Sequence, residues 1–481
     1  MNMNSLNLLP ALPEIVLLCG LFSVLLIDLW LKDGQRRVTH YLSLLVLALA
    51  AAAQCYVWTP VAVSIFSDMY LSDGLSQLAK LTMYAALAAA FVYAAPYNRA
   101  RGIFGGEFYT LSLFGLTGMS MMASAGHFLV AYIGLELLSL SLYAMIALRR
   151  DSARAAEAAL KYFVLGALAS GLLLYGVSMI YGATGSLNFA TILANSYSGL
   201  DQPWLMKLGL IFVVVGIAFK LGAVPFHMWV PDVYEGAPTS VAAIVGSAPK
   251  MAAAVFAARI LYGAMDNEHA DWTQMLAVIA VASLLVGNLA AIMQTNLKRM
   301  LAYSTVSHMG FVLLAFLGGS ISFSVGLYYA LTYVATALVG FGVLMQLSDE
   351  TADCETIADL AGLNQRNAWY AFLMLLTMFS MAGIPPLVGF YAKFQVIQLL
   401  VGKGYLWLAV FAVVMSLIGA FYYLRVVRTI YFDEPQNVRI RPGSAVAKAV
   451  LSANALLLLL WGILPQSVMD WCVQAVQTAA G

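Results

Sequence analysis

The sequence predicts an all-α polytopic membrane protein of about fourteen transmembrane helices. Hydrophobic residues make up 62% of the chain and charged residues 10%, where an average soluble chain carries about 25% charged. Apolar runs of bilayer-crossing length, about 20 residues each, succeed one another from end to end, separated by polar or Gly/Pro-rich stretches. No long polar block interrupts them, so residues 1–481 read as a single integral membrane domain without a soluble head.

In order, the expected spans are 11–31, 38–59, 74–97, 107–124, 127–148, 155–182, 204–230, 238–263, 272–294, 300–318, 321–347, 368–400, 404–431 and 447–472. Met1 to Pro10 contains no Lys or Arg. A cleavable signal peptide has a basic n-region, so the first apolar run is expected to be retained. The net charge of +1 implies no nucleic acid or other polyelectrolyte partner. Cys19, Cys55, Cys354 and Cys472 are scattered without metal-ligand spacing, which points to single thiols and no metal, haem or iron–sulfur site in this chain.

Basic residues set orientation in membranes, cytoplasmic loops being enriched in them. The loops after odd-numbered spans hold Lys32, Arg36, Arg37, Arg99, Arg101, Arg149, Arg150, Arg154, Lys298, Arg299, Arg428, Arg439, Arg441 and Lys448. The intervening loops 60–73, 183–203 and 264–271 carry Asp68, Asp73, Asp201, Asp266, Glu268 and Asp271 instead. Both termini are therefore expected on the non-cytoplasmic side, in accord with an even span count. Two loops assigned to the cytoplasm, 231–237 and 348–367, are acidic and fit the rule poorly.

The informative residues are the ionisable ones at membrane depth, each costing roughly 2.5–3.5 kcal/mol on insertion scales and therefore usually functional. Glu136 is the only formal charge in its span. Lys161 lies in the sixth span, Lys220 and His227 in the seventh, Lys250 in the eighth, His308 in the tenth and Lys393 in the twelfth. Small residues beside them (Gly216, Ala218, Gly222, Gly246, Ser247) let helices approach closely and leave room for water. Plainer roles stand beside these. Lys161 follows Glu157 at the spacing of a simple helix-surface pair. Lys207 and Arg259 are placed to snorkel, and Asp28 and Lys80 to serve as helix-end or packing charges. His308 suits a hydrogen-bonded core position, and Glu136, Lys220 and Lys250 suit structural ion pairing.

Backbone signals coincide with the charges. Lys220-Leu-Gly-Ala-Val-Pro225 places Gly and Pro inside an apolar run, and Pro removes a donor and clashes with the preceding turn. The seventh helix is expected to break near 220–226. Ala382-Gly-Ile-Pro385-Pro386 is a second such site, in the twelfth span. The two units Gly222-Ala-Val-Pro225 and Ala382-Gly-Ile-Pro385 lie five spans apart, and an odd offset means opposite orientation. Such an inverted repeat with broken helices marks an ion site near the midplane. Burial disfavours the ammonium form of lysine and a nearby carboxylate restores it. A Glu136–Lys220 pair that makes and breaks can therefore pass a proton to Lys250, and onward through water and His308 to Lys393. Intramembrane carboxylates are too few for a convincing Na⁺ site.

Phe219-Lys220-Leu-Gly-Ala-Val-Pro225-Phe-His227-Met-Trp229-Val-Pro231-Asp232-Val-Tyr234 and Gln294-Thr-Asn296-Leu-Lys298-Arg299-Met-Leu-Ala-Tyr303-Ser304-Thr-Val-Ser307-His308 resemble hallmarks of the proton-conducting membrane transporters. These are the antiporter-like subunits of respiratory complex I and their relatives in multi-subunit Na⁺/H⁺ antiporters. Gly134-Leu-Glu136-Leu and Ala382-Gly-Ile-Pro385 match as well, so the resemblance covers essentially the whole chain. Within the family the chain resembles the fourteen-helix type that lacks a long lateral C-terminal helix and carries Lys, here Lys393, in the twelfth helix.

The resemblance implies two inverted five-helix repeats, helices 4–8 (107–263) and 9–13 (272–431), after three N-terminal helices (1–106) and before a C-terminal one (432–481). It implies proton translocation through Glu136, Lys220, Lys250 and Lys393, with Lys161 and His227 also at titratable family positions. It implies no cofactor in this chain, with NADH, FMN, iron–sulfur clusters and quinone in other subunits. Partners would be subunits L and M, the small subunits K and J, and lipid, in a bacterial inner membrane. The alternatives are a subunit of a cation/proton antiporter and a structural scaffold.

Overall fold

The computed structural model describes residues 7–348, 352–435 and 444–480; Arg439 and Arg441 of the expected basic loops lie outside them. Twelve helices among the described residues are long and apolar enough to cross a membrane. They run Leu9–Trp30, Arg37–Tyr56, Gly74–Ala100, Phe128–Ile146, Ala153–Thr184, Pro203–Leu221, Thr239–Leu261, Asp266–Ile292, Leu297–Gly318, Phe323–Leu347, Leu406–Phe432 and Ala445–Ile463. The expected fourth span is the helix Gly106–Ala123, more polar because of Glu107 and its Ser and Thr residues. The twelfth is the pair of short helices Ala368–Ala382 and Val388–Gly402. Together these account for all fourteen expected spans.

Three expectations change at the margins. The fourteenth span stops at Ile463, and Pro465 opens a separate helix, Pro465–Ala480, because Pro needs no amide partner in a first turn. Loop 183–203 contains a short helix, Phe189–Ser198. Loop 60–73 folds into an antiparallel hairpin, Val63–Ile65 with Tyr70–Ser72.

Consecutive spans are sealed by glycines. Gly118 and Gly134 face each other across the fourth and fifth spans: a Cβ on Gly118 would lie 2.5 Å from the Gly134 carbonyl oxygen, and one on Gly134 2.7 Å from that of Gly118. Gly176 and Gly209 repeat this between the sixth and seventh spans, at 2.7 and 2.8 Å. Backbones meet this closely in membranes because no hydrophobic effect drives helices together and contact must come from packing.

The acidic loops that resisted the orientation rule fold onto the basic ones. Asp232 pairs with Arg299 at 2.8 Å and Lys161 at 3.0 Å, and Glu235 with Arg154 at 2.6 Å and Arg299 at 2.8 Å. Asp353 pairs with Arg101 at 2.7 Å, and Glu355 with Lys298 at 2.7 Å and Arg154 at 3.1 Å. These loops therefore share one face with the basic residues, and their negative charge is locally compensated. Lys207, as expected, is more than half exposed, paired with Asp271 at 2.9 Å. Asp28 is a helix-end charge, held by Arg36 and by Thr39.

Gly209→Val is expected to overpack the sixth–seventh crossing by about 1–3 kcal/mol, read as a lower unfolding temperature and less assembled protein in detergent. Burial would raise the Asp232 carboxyl, but Arg299 and Lys161 outweigh it and hold it below its ordinary value. Its contribution to stability is thus complete above about pH 3.9 and lost as pH falls through the lower folded value. The stability gap between wild type and Asp232→Asn should close only on acidification below that point, in melts recorded across pH.

Candidate proton-transfer site

The helix Pro203–Leu221 ends at Gly222, whose φ of +79° is left-handed. The amides of Gly222 and Ala223 both return to the Ala218 carbonyl, at 3.0 and 2.8 Å. This is the usual glycine helix end, and the chain stays non-helical until Trp229. The last carbonyls of such an end lack helical partners and carry its negative dipole. Lys250 Nζ meets them, donating to the Leu221 carbonyl at 3.1 Å and lying 4.8 Å from the Trp229 ring centroid. Lys220, on the last turn, donates to the Ser139 hydroxyl. Both lysines are buried, at 1% and 8% exposure.

The eighth span is itself interrupted, which the sequence reading did not anticipate. Thr239–Val245 and Ala248–Leu261 are separate helices around Gly246 and Ser247. Ser247 has φ −122° and ψ −99°, outside the helical region. Lys250 thereby sits in the first turn after a second backbone break.

The twelfth span repeats the arrangement. Ala368–Ala382 ends at Gly383, φ +86°, and the amides of Gly383 and Ile384 return to Phe379 at 3.0 and 2.9 Å. Lys393 Nζ donates to the carbonyls of Met381 (2.8 Å) and Ala382 (3.0 Å) and to the Ser416 hydroxyl (3.0 Å). Gly383 thus corresponds to Gly222, Ala382 to Leu221 and Pro386 to Pro225. The sequence alignment, which paired Pro225 with Pro385, was one residue out, because the left-handed glycine rather than the first proline sets the register. A Cβ at Gly222 would lie 3.5 Å from Lys250 Nζ, and one at Gly383 3.5 Å from Lys393 Nζ. Two pseudo-equivalent helix ends each hold one ammonium, supplied by the following span in the first half and by the second half-helix in the other.

His308 is buried, with Nδ1 2.7 Å from the Tyr329 hydroxyl and Nε2 3.1 Å from that of Tyr423, which lies 2.5 Å from Ser304 Oγ. A cavity of about 20 Å³ is lined by His308, Tyr329, Tyr333, Thr336, Ser380 and Met381, enough for one water. It lies between His308 and Met381, the residue whose carbonyl receives Lys393.

Other candidates stand apart. Glu136 is half-buried with Oε1 unpartnered, and no Glu136–Lys220 ion pair occurs among the described residues; Ser139, one turn on, takes the lysine. His227 is half-buried in the seventh-span break, with Nδ1 unpartnered and its ring 6.4 Å from Tyr303. Lys161 lies outside the buried row, about half exposed, in the expected pair with Glu157 (2.8 Å) and also with Asp232.

Arg259 does not snorkel: it is 7% exposed and grips Asp73 with two bonds. Lys298, counted as a loop charge, is 1% exposed and donates to the Ala237 carbonyl at 3.0 Å. Neither burial was marked in the sequence, since both lie near span ends where exposure is the default expectation. The four cysteines are free.

Fold and site define an antiporter-like membrane subunit. The pattern of the family described as NADH:quinone oxidoreductase/Mrp antiporter, transmembrane, matches residues 125–419. The chain belongs to this family. It is 66% identical over 480 residues to NADH-quinone oxidoreductase subunit N of Neisseria gonorrhoeae, covering 99% of each chain. A chain of respiratory complex I from Thermus thermophilus superposes with a TM-score of 0.82 at 33% identity, covering 95% of this chain and 98% of that one. A chain of the Mrp complex from Dietzia sp. shares the fold, with a TM-score of 0.85 at 21% identity, covering 99% and 97%.

Gly383→Ala puts a side chain on a left-handed backbone and its Cβ 3.0 Å from Lys393 Cδ, a strain of about 1–3 kcal/mol. Lower thermal stability together with slower proton pumping, measured in reconstituted vesicles, is the expected result.

Proposed function

We propose that this chain is the antiporter-like, proton-translocating subunit of a respiratory NADH:quinone oxidoreductase, coupling quinone reduction elsewhere in the complex to proton movement across the membrane. The observation that supports it most is the pair of broken-helix ends holding Lys250 and Lys393, joined to Lys220 on one side and His308 on the other. Each lysine is bound to neutral carbonyls and hydroxyls rather than to a fixed carboxylate. Its ammonium therefore has no permanent counter-ion, and a small change of nearby charge moves its proton on or off. Transfer runs from Lys220 to Lys250, then through hydroxyls and water to His308 and Lys393. His227 and Lys161 line the approach to the row from the basic face. Each elementary charge crossing 100 mV is worth about 2.3 kcal/mol, and the free energy comes from a redox reaction in partner subunits. NADH, FMN, iron–sulfur clusters and quinone belong to those partners and not to this chain.

In this reading the protein lies in a bacterial inner membrane with the basic face cytoplasmic and both termini periplasmic. Its neighbours are subunit M and the small subunits K and J. Glu136, half-buried with an orphan oxygen, suits an edge where a neighbour's cation completes it and modulates Lys220.

Lys220→Ala or Glu136→Ala is expected to lower NADH-driven pumping several-fold in membrane vesicles containing fully assembled complex. Normal pumping by either would remove its assigned role. Lys250→Gln should reduce the protons moved per NADH, whereas a scaffold would keep that ratio. Purification should bring flavin and iron–sulfur proteins along; small membrane subunits alone would favour a cation/proton antiporter.

A further inference from the structure

A second group of buried charges lies outside the lysine row, towards the face of loops 60–73, 183–203 and 264–271, the acidic-loop face. Lys80 is 1% exposed, two turns into the third span, and its Nζ is 2.5 Å from Glu14 Oε1 in the first span. The Tyr70 hydroxyl, from the hairpin, receives a bond from Lys80 at 2.8 Å and donates to Glu14 Oε2 at 2.7 Å. Asp73, the N-cap of the third span, takes Arg259 in bonds of 2.6 and 2.5 Å, and Arg259 Nε also donates to the Ala123 carbonyl at 3.0 Å. Burial would raise the Asp73 carboxyl, but Arg259 and Ser76 outweigh it and keep it below its ordinary value, so this pair is a fixed one. Gln77 Oε1, one turn on from Asp73, is buried without a partner among the described residues, as polar atoms that hold internal water are.

Stability gives little reason for such a cluster, since replacing a buried ion pair with apolar groups is often neutral or stabilising. Its placement gives a better one. Arg259 and Lys250 share one helix, Ala248–Leu261, nine residues and about 14 Å apart along the axis. The cluster therefore lies between the lysine row and the acidic-loop face.

We propose that Lys80 and Glu14 form a proton outlet station for the first half of the molecule, with Tyr70 and the Asp73–Arg259 pair positioning them. The step is an ion pair turning into a neutral pair. An N–H bond of the Lys80 ammonium breaks and an O–H bond forms on Glu14, leaving a neutral amine and a carboxylic acid. Glu14, in the first turn of its helix, then releases the proton to water at the acidic-loop face. Lys80 is reprotonated through internal water from the side of Lys250. One proton crosses and the pair returns to its starting state. This rests on the proton-translocation reading above.

The test uses the whole complex reconstituted in liposomes, measuring assembled amount and protons moved per NADH oxidised, with Lys220→Ala in parallel. The double variant Glu14→Gln/Lys80→Met removes both charges together and leaves neither stranded. Lys80→Arg keeps the charge and the ion pair, but a guanidinium does not give up its proton. An outlet predicts normal assembly and a several-fold lower proton yield for both. A wild-type yield in either assembled variant overturns it, because a purely structural latch survives Lys80→Arg. Failure of both to assemble assigns the cluster to structure and overturns it as well. Loss with Lys220→Ala but not with these variants would remove the outlet and leave the pump reading standing; an unchanged yield in all three would remove both.

Discussion

A helix that stops inside a membrane exposes carbonyl oxygens that nothing in lipid can satisfy, and the rest of this structure is organised around that constraint. At Leu221 and at Met381–Ala382 the oxygens are met by lysine ammonium groups. Break and buried charge are therefore one feature. The carbonyls with the helix dipole hold the cation, the cation satisfies the carbonyls, and a left-handed glycine lets the helix end where the lysine can reach it. A lysine held by dipoles has no carboxylate fixed beside its ammonium group.

The distribution of carboxylates follows the same division. At the basic face Asp232, Glu235, Asp353 and Glu355 neutralise arginines and lysines and tie the two halves together. At the opposite face Asp73 and Glu14 do so for Arg259 and Lys80. Between these layers the charge row has Glu136 as its one carboxylate candidate, half-buried with an unpartnered oxygen. Ion pairs gather at the two ends of the bundle, and lysines held by carbonyls and hydroxyls lie in its middle.

The fold alone does not separate a redox-driven pump subunit from a subunit of a cation antiporter, since the Mrp chain superposes as well as the complex I chain does. Full-length sequence identity of 66% to a subunit N does more, and the scarcity of mid-membrane carboxylates agrees with protons rather than Na⁺ as the transported ion.

Much of this was legible in the chain. Hydropathy gives the span count, because water exclusion acts on every residue of a span and averages well over about 20 residues. The cost of burying charge marks Glu136, Lys220, Lys250 and Lys393, and Pro marks both breaks of the inverted repeat. What the sequence alone left open is who touches whom. The one-residue register between Gly222 and Gly383, the interruption before Lys250, the replacement of Glu136 by Ser139 as partner of Lys220, and the burial of Lys298 and Arg259 were decided by tertiary structure. Each depends on atoms brought together from spans far apart in the chain. Local pattern reports the price of a charge in the membrane, and only packing reports which group meets it.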